Sequence, residues 1–272
     1  MWHAYLFIFA LAGIFSGFIG GLLGLGGGIV VVPVLTSLFP LFGIDSALNM
    51  HLAVGTSMAT IIVTTSISTH AHYRRLNTSV LFRLGKKLWP GIVIGTMIGA
   101  IIAAHLSSQH LSLVFGIVMF LLALRMLFIQ RKDEQENSEY HQWQLPRKWM
   151  LTVLSMIVGG FSSLLGIGGG LVVPMLQQFN VPMRYTVATS ASCGLPIAFV
   201  GMISYMIIGY NETVHVAATV GYVYLPAFIV IAISSMLFTP LGVKLAHRIS
   251  PQMLRLFFIM YLLAAGVKMI FF

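Results

Sequence analysis

Two glycine-rich turns hold the backbone groups of this sequence that are best suited to bind an anion. The sequence reads LLGLGGGIVVVPVL at residues 22–35 and LLGIGGGLVVPML at residues 164–176. Glycine has no side chain, so a ligand can approach the main-chain N–H groups closely. The positive end of the helix that follows favours a negative charge at the same place. The candidate binding glycines are Gly24, Gly26, Gly27, Gly28, Gly166, Gly168, Gly169 and Gly170.

Hydroxyl side chains follow each turn and add hydrogen-bonding groups. After the first turn, they recur at every third or fourth position: Ser57, Thr60, Thr64 and Ser68. This spacing places them on one face of a predicted helix. The hydroxyl part of the predicted substrate site consists of Thr56, Ser57, Thr60, Thr189, Ser190 and Ser192.

Both features also have a structural interpretation, which the sequence leaves open. Ser and Thr side chains bond to carbonyls of their own helix, and glycines let helices pack closely in membranes. The binding interpretation is favoured because the two turns occupy matching positions beside short, interrupted apolar segments. That arrangement is typical of transporters whose site lies near the middle of the bilayer.

Two histidines and two intramembrane cations are further candidates for charge chemistry. His70 and His72 titrate near neutral pH, so either could relay a proton or hold an anion. Alternatively, both belong to the membrane surface beside Arg74. Arg125 and Lys268 lie in apolar segments, from which long side chains reach toward the surface. A functional role for this second pair stays open.

The sequence offers little for enzymatic chemistry. It contains no HExxH motif, and the six acidic residues fall in predicted loops or in a central polar stretch. The single cysteine, Cys193, has no evident catalytic partner. We therefore expect no catalytic residues, no metal and no cofactor.

The composition indicates a protein that is dissolved in a lipid bilayer. Of 272 residues, 58% are hydrophobic and only 8% are charged, which a soluble domain of this size would not tolerate. A spanning helix needs roughly 20 apolar residues, so the whole chain is occupied by such segments. The net charge of +9 resides in short loops, where it sets orientation, and does not indicate nucleic acid.

The chain contains a duplication. Besides the two turns, Val54-Gly55-Thr56-Ser57 matches Val187-Ala188-Thr189-Ser190, and Leu88-Trp89-Pro90 matches Tyr224-Leu225-Pro226. The order of the matches predicts one membrane repeat at 1–130, a cytoplasmic linker at 131–147 and a second repeat at 148–272.

Each repeat contains five apolar segments that we predict to be helical. They cover residues 3–23, 27–39, 47–71, 88–105 and 110–129, then 149–165, 168–179, 186–208, 216–242 and 252–271. The second segment of each repeat covers only about 20 Å of a roughly 30 Å hydrocarbon layer. It either spans with thinning of the bilayer or forms one arm of a re-entrant hairpin. The fold class is thus all-α and polytopic.

The positive-inside rule favours inverted repeats, with both termini outside. Five crossings per repeat, or three plus a hairpin, place all loop cations on the cytoplasmic side: Arg74, Arg75, Arg83, Lys86, Lys87, Arg131, Lys132, Arg147, Lys148, Arg184, Lys244, Arg248 and Arg255. Four crossings per repeat would move the last four of these outside.

At these residues the chain resembles the TauE/SafE family of sulfite and organosulfur-anion exporters. The resemblance rests on both GxGGG turns, the Thr-Ser steps after them, and four prolines: Pro33, Pro174, Pro90 and Pro226. It implies a permease of the cytoplasmic (inner) membrane that moves small oxyanions such as sulfite or sulfonates, usually outward. The second half departs from the first by one residue fewer before Pro174 and by Ala188 in place of Gly55, so the site is imperfectly symmetric.

Together these features predict a secondary transporter for a small inorganic or organosulfur anion, working by alternating access between the two halves. A channel or an importer of the same architecture is the alternative, followed by a membrane-embedded enzyme. Membrane lipid surrounds the protein, H+ and Na+ are candidate coupling ions, and the oligomeric state stays open.

Overall fold

The structure is a computed structural model that describes residues 2–24, 26–74, 76, 78–128, 143, 145–246, 248 and 251–271. The first half contains α1 (Trp2–Leu23), α2 (Gly28–Leu38), α3 (Ser46–Tyr73), α4 (Thr78–His105) and α5 (Ser108–Phe128). The second half contains α6 (Lys148–Leu165), α7 (Val172–Gln177), α8 (Met183–Ile208), α9 (Leu225–Ala246) and α10 (Pro251–Phe271). Single 3-10 turns lie at Phe39–Phe42 and Gly168–Leu171.

This architecture confirms the all-α polytopic class. Within the described ranges, α1, α3, α4, α6, α8 and α9 are long and apolar enough to cross a membrane. Most of the predicted linker at 131–147, together with Arg75, Arg131 and Lys132, lies outside the described residues, as do the side chains of Arg125 and Arg255.

Two predicted segment boundaries are wrong. The segment predicted at 88–105 belongs to α4, which already begins at Thr78. Its first turns carry several cations, so hydropathy alone does not include them. The segment predicted at 216–242 begins too early, because Thr219–Val220 (β1) and Val223–Tyr224 (β2) form an antiparallel hairpin before α9. Gly221, with φ of 53°, makes the turn between these strands.

Helices of the two halves interleave. α1 packs along α9, and α4 packs along α6, with the members of each pair running in the same direction. Glycines bring the backbones together: a Cβ atom at Gly17 would overlap the backbone of Ser235, and one at Gly95 would overlap the Met156 carbonyl. The main helix contacts of each half are therefore made with the other half.

The third helices of the two halves run in opposite directions. α3 and α8 pack together, with Met58 against Gly201 and Thr65 against Gly194. The residue number rises along one helix as it falls along the other, so the pair is antiparallel.

The last helices of the two halves show the same relation. The Ser112 hydroxyl of α5 donates to the Met269 carbonyl of α10 at 3.0 Å, and Gly116 packs against Gly266. Two pairs of corresponding helices are thus antiparallel, which is the geometry of an inverted repeat.

The short second segment of the first half is the return arm of a hairpin. α2 has 11 residues, about 16 Å at 1.5 Å per residue, which is too short to cross the bilayer. The Ser16 hydroxyl donates to the Gly27 carbonyl at 3.2 Å, and Phe9, nearer the start of α1, stacks on Phe42 beyond α2. α2 therefore runs back along α1, which decides in favour of a re-entrant arm. Its counterpart α7 has only six residues.

The loop cations of the described ranges lie at one end of the bundle. α3 and α9 run in the same direction, since Thr56 contacts Tyr224 near their starts and Arg74 shares a cavity with Val243 near their ends. The directions of α4, α6 and α8 given above place the other cations at that same end: Arg83, Lys86, Lys87, Arg147, Lys148, Arg184, Lys244 and Arg248.

Helix α10 compensates for the proline in α2. Pro33 has no N–H, so the Ile29 carbonyl one turn earlier lacks its helical donor. The Tyr261 hydroxyl of α10 donates to that carbonyl at 2.9 Å. A hydrogen bond between helices thus replaces the one that the proline removes.

We expect Tyr261→Phe to lower the free energy of unfolding by about 1 kcal/mol, because it leaves the Ile29 carbonyl without a donor. In a Pro33→Ala background the restored N–H can bond to that carbonyl, so the same change should cost less. A double-mutant cycle from unfolding in detergent measures the difference. Equal costs in both backgrounds would contradict the compensation.

Candidate functional site

The two glycine turns meet in the middle of the bundle. A Cβ atom at Gly28 of the first turn would overlap the Gly166 carbonyl of the second, and one at Gly24 would overlap the Val187 carbonyl of α8. Gly26 packs against Ile61, which lies near the midpoint of the 28-residue α3. The structure therefore brings together the two motifs that the sequence singles out.

The turns use backbone conformations that only glycine adopts readily. Five of the predicted site glycines have φ between 57° and 76°, in the left-handed region: Gly24, Gly26, Gly27, Gly166 and Gly168. A side chain would be strained at these positions. No side chain caps the start of α2 at Gly27. The Val30 and Val31 N–H groups donate to the Gly27 carbonyl at 3.0 and 3.2 Å, so the Gly28 and Ile29 N–H groups are the ones that this helix start leaves for another acceptor.

Two corresponding serines join the turns reciprocally. Ser57 of α3 donates to the Gly166 carbonyl at 2.7 Å, and Ser190 of α8 donates to the Gly24 carbonyl at 2.9 Å. Each hydroxyl thus bonds to the turn of the other half. Ser190 also donates to Gly169, in its own half, at 2.8 Å. These bonds hold the turns closed against the helices that flank them.

The other predicted hydroxyls divide between the turns and their own helix. Thr64 donates to the Gly26 carbonyl at 2.7 Å. Thr60 donates to Ser57, and Ser192 donates to Thr189, each one turn earlier in the same helix. The hydroxyls on this buried face of α3 therefore have two roles. Thr64 bonds to the first glycine turn, and Thr60 bonds to a carbonyl of its own helix.

Thr56 and Thr189 occupy matching positions but have different surroundings. The Thr56 hydroxyl accepts a hydrogen bond from the Tyr224 N–H, just before α9, at 2.9 Å. The matching position in the first half, Leu88, lies inside α4, so its N–H bonds within the helix. The Thr189 hydroxyl is fully buried and has no hydrogen-bond partner among the described residues.

The sequence analysis missed two more hydroxyls beside the second turn. Ser162 and Ser163 end α6, are fully buried, and likewise have no side-chain hydrogen-bond partner in the described part of the chain. The first half has Gly20 and Gly21 at these positions. A comparison of the two repeats for polar residues directly before GxGGG could have found them. Buried unpaired hydroxyls are uncommon, because each one costs free energy.

The two histidines of the predicted relay point in different directions. His70 is exposed, whereas His72 is buried. Two residues along a helix turn the side chain by about 200°, so the pair does not form one path. The structure does not bring either histidine to the glycine turns.

The Lys268 side chain does not simply extend toward the membrane surface, because its amino group is bound within the protein. Its amino group donates to the Pro33 carbonyl at 2.7 Å and also bonds to the Ser37 hydroxyl. The lysine thus fastens α10 to the re-entrant arm α2 rather than to the turns.

Two cavities lie outside the meeting place of the turns. One, of about 590 Å³, lies between the ends of α3 and α9 and is lined by Ser66, His70 and Arg74 among others. The other, of about 390 Å³, lies between α1, α2 and α10. Neither is lined by a residue of the glycine turns.

Comparison with known proteins gives matches along nearly the entire chain. The family model for the sulfite exporter TauE/SafE matches residues 9–269. A probable membrane transporter protein of Haemophilus influenzae is 29% identical over 265 residues, which are 95% of this chain and 96% of the relative. A probable membrane transporter protein of Methanocaldococcus jannaschii is 29% identical over 90% of this chain and 88% of its own. One from Bacillus subtilis is 31% identical over 78% and 82%. No solved structure gave a significant match.

The family match covers both glycine turns and the hydroxyl stripes that flank them. It also includes α5 and α10, the last helices of the two halves. The relatives are described as membrane transporters and not as enzymes. The chain belongs to the TauE/SafE sulfite exporter family of membrane transporters.

Proposed function

We propose that the chain is a secondary transporter that moves a small sulfur-containing oxyanion, such as sulfite or an organosulfonate, out across the cytoplasmic membrane. The name of the matching family supports the substrate class. The observation that carries the proposal is the contact between two oppositely oriented glycine turns, beside buried hydroxyls that have no hydrogen-bond partner among the described residues. These hydroxyls are not used as donors within the described part of the fold, so they are available to a bound anion.

The proposed binding groups are the N–H groups at the start of α2 together with the hydroxyls of Ser162, Ser163 and Thr189. An anion that leaves water needs several hydrogen bonds to offset a penalty of several kcal/mol. The positive end of α2 adds a favourable field without a fully charged side chain. An oxyanion with three or more acceptor oxygens matches this set of donors.

In the proposed cycle, the reciprocal bonds of Ser57 and Ser190 act as a closed gate. Access from either side requires the turn of one half to separate from the helix of the other. The two hydroxyls then become available to the anion, so their bonds to the turns are exchanged for bonds to substrate. Rocking of one repeat against the other accomplishes this without breaking the backbone hydrogen bonds of the helices.

In this proposal the cation-rich end sets the orientation of the protein, and the membrane potential favours outward transport. The cation-rich end of the bundle is assigned to the cytoplasm by the positive-inside rule. An inside-negative potential then favours anion efflux by about 2.3 kcal/mol per charge per 100 mV. No coupling ion is needed for export, and we expect the flux to carry current. Electroneutral transport in voltage-clamped proteoliposomes would contradict uncoupled export.

We expect Thr189→Val to reduce sulfite transport at least tenfold while leaving the fold at least as stable. The change removes a buried hydroxyl that has no partner in the described ranges, so folding loses no hydrogen bond. The same change at the matching Thr56 leaves the Tyr224 N–H without an acceptor and should lower stability. Unfolding temperature and flux, measured on both variants, separate the two effects. Normal transport by Thr189→Val would remove this residue from the site.

The proposal as a whole is tested by loading purified protein into liposomes and measuring uptake and efflux of labelled sulfite, thiosulfate and a simple sulfonate. We expect saturable flux of at least one of them. Uptake and efflux at equal rates that do not saturate would indicate a channel. Net accumulation of the anion against the potential would indicate an importer. No flux of any of the three anions would contradict the assigned substrate class.

A further inference from the structure

The cavity of about 590 Å³ between the ends of α3 and α9 has one polar and one apolar wall. Its polar wall consists of Ser66, His70 and Arg74. The remaining lining residues are apolar and include Pro240 and Val243 of α9. The cavity lies at the cation-rich end of the bundle, beside the loop between α3 and α4.

The polar wall is one row along a single helix. Ser66, His70 and Arg74 are four residues apart, so they stand above one another and span about 12 Å. All three side chains are exposed. The Ser66 hydroxyl donates to the Ile62 carbonyl of its own helix at 2.6 Å, so the row presents the Arg74 guanidinium fork and the His70 imidazole to one occupant.

Carboxylates of the described ranges are remote from this row. Asp45 precedes α3, about 42 Å from Arg74 along the helix axis. Glu212 follows α8, which runs antiparallel to α3 and ends at the side where α3 begins. Neither described carboxylate is within reach of Arg74, and the guanidinium of this residue is complementary to an anion.

We propose that this cavity binds a tetrahedral oxyanion, with the phosphate of an acidic phospholipid as its occupant. The Arg74 guanidinium would hold two phosphate oxygens in its fork, and His70 would donate to a third. The apolar wall of Pro240 and Val243 would contact the start of an acyl chain. A free oxyanion shares the headgroup chemistry but has no use for that wall. The proposal is independent of the transported substrate.

The test measures the unfolding temperature of purified protein in neutral detergent during titration with phosphatidylglycerol, phosphatidylcholine or sodium sulfate. We expect phosphatidylglycerol to stabilise the protein and Arg74→Gln to raise its half-saturating concentration at least tenfold. His70→Gln should have a smaller effect in the same direction. Arg83→Gln is the matched control, because it removes a cation at the same end that does not line the cavity.

Each outcome of the titration is informative. Stabilisation by sulfate that Arg74→Gln removes would support the oxyanion site and assign it to a free anion. Equal stabilisation by phosphatidylcholine, an equal response of Arg74→Gln and wild type, or no stabilisation by any ligand would overturn the proposal. If Arg74→Gln does not fold, Arg74→Lys keeps the charge, loses the fork and should still weaken binding measurably.

Discussion

Replacing Gly27 with alanine is expected to lower the free energy of unfolding by about 2–4 kcal/mol. A Cβ atom at this position would overlap the Ser16 hydroxyl and backbone, and the residue has φ of 76°. Forcing an extra methyl group into a packed site costs about 1–3 kcal/mol, and the left-handed conformation adds about 1 kcal/mol. The sum is a large part of the stability of a typical protein.

Gly43 offers a matched control for the same substitution. Its φ of 72° is nearly identical, but nothing lies within 4 Å of its Cβ position. Gly43→Ala therefore keeps the conformational cost and omits the overlap, so we expect a loss of only about 1 kcal/mol. Yield of monodisperse protein and unfolding temperature in detergent compare the two variants. Similar losses would show that the packing around the first turn is not tight.

The overlaps that a Cβ atom would make in both turns also limit which variants can test the site. Gly169→Ala would overlap the Ser190 carbonyl, so alanine substitutions in either turn disturb the fold before they report on an anion. Loss of transport in these variants would not identify ligand contacts. Changes of unpaired hydroxyls are better probes, because the fold does not depend on them.

Ser190→Ala is expected to have the largest effect among the hydroxyl variants. The single hydroxyl proton of Ser190 is shared between the Gly24 and Gly169 carbonyls, at 2.9 and 2.8 Å, so its loss weakens the hydrogen bonding of both. Loss of one buried donor costs about 1–3 kcal/mol, and because two carbonyls share this one, we expect a decrease near the upper end of that range in the free energy of unfolding. In folded Ser190→Ala protein, we expect sulfite flux to fall at least tenfold, because the hydroxyl that the proposed cycle transfers from the turn to the anion is missing.

Ser57→Ala and Thr152→Ala are the comparison variants, and each is expected to cost less than Ser190→Ala. Ser57 makes the corresponding bond to Gly166, and its hydroxyl donates to no second turn carbonyl among the described residues, so its loss should cost less than that of Ser190. Thr152 is exposed and bonds to Lys148 in its own helix, so its loss should cost less than about 0.5 kcal/mol. Equal unfolding temperatures for all three variants would contradict the role of the reciprocal bonds.

The parts of the fold that the sequence predicts are those with local signals. Apolar length predicts the spanning helices, and the repeated GxGGG motifs predict two interrupted segments. The spacing from Ser57 to Ser68 predicts one buried face of α3, which the structure confirms. These signals depend on residues a few positions apart, and so they can be read along the chain.

The parts that the sequence does not predict depend on residues that are distant in the chain. The bond from Ser190 to Gly24 joins positions 166 residues apart. The start of α4 at Thr78 is stabilised by packing, although its first turns are polar. The unpaired state of Thr189 follows from the helix around Leu88, in the other half. None of these has a signal in the local pattern.

The interleaving of the halves has a consequence for biogenesis. Gly17 of α1 finds its neighbour Ser235 on α9 only after about 200 further residues have been made. At roughly 5–20 residues per second, the ribosome needs about 10–40 s for that stretch. Throughout this time the glycine face of α1 cannot pack against α9. A nascent chain of this protein therefore depends on the insertion machinery, or on surrounding lipid, to shield its first helix until synthesis is nearly complete.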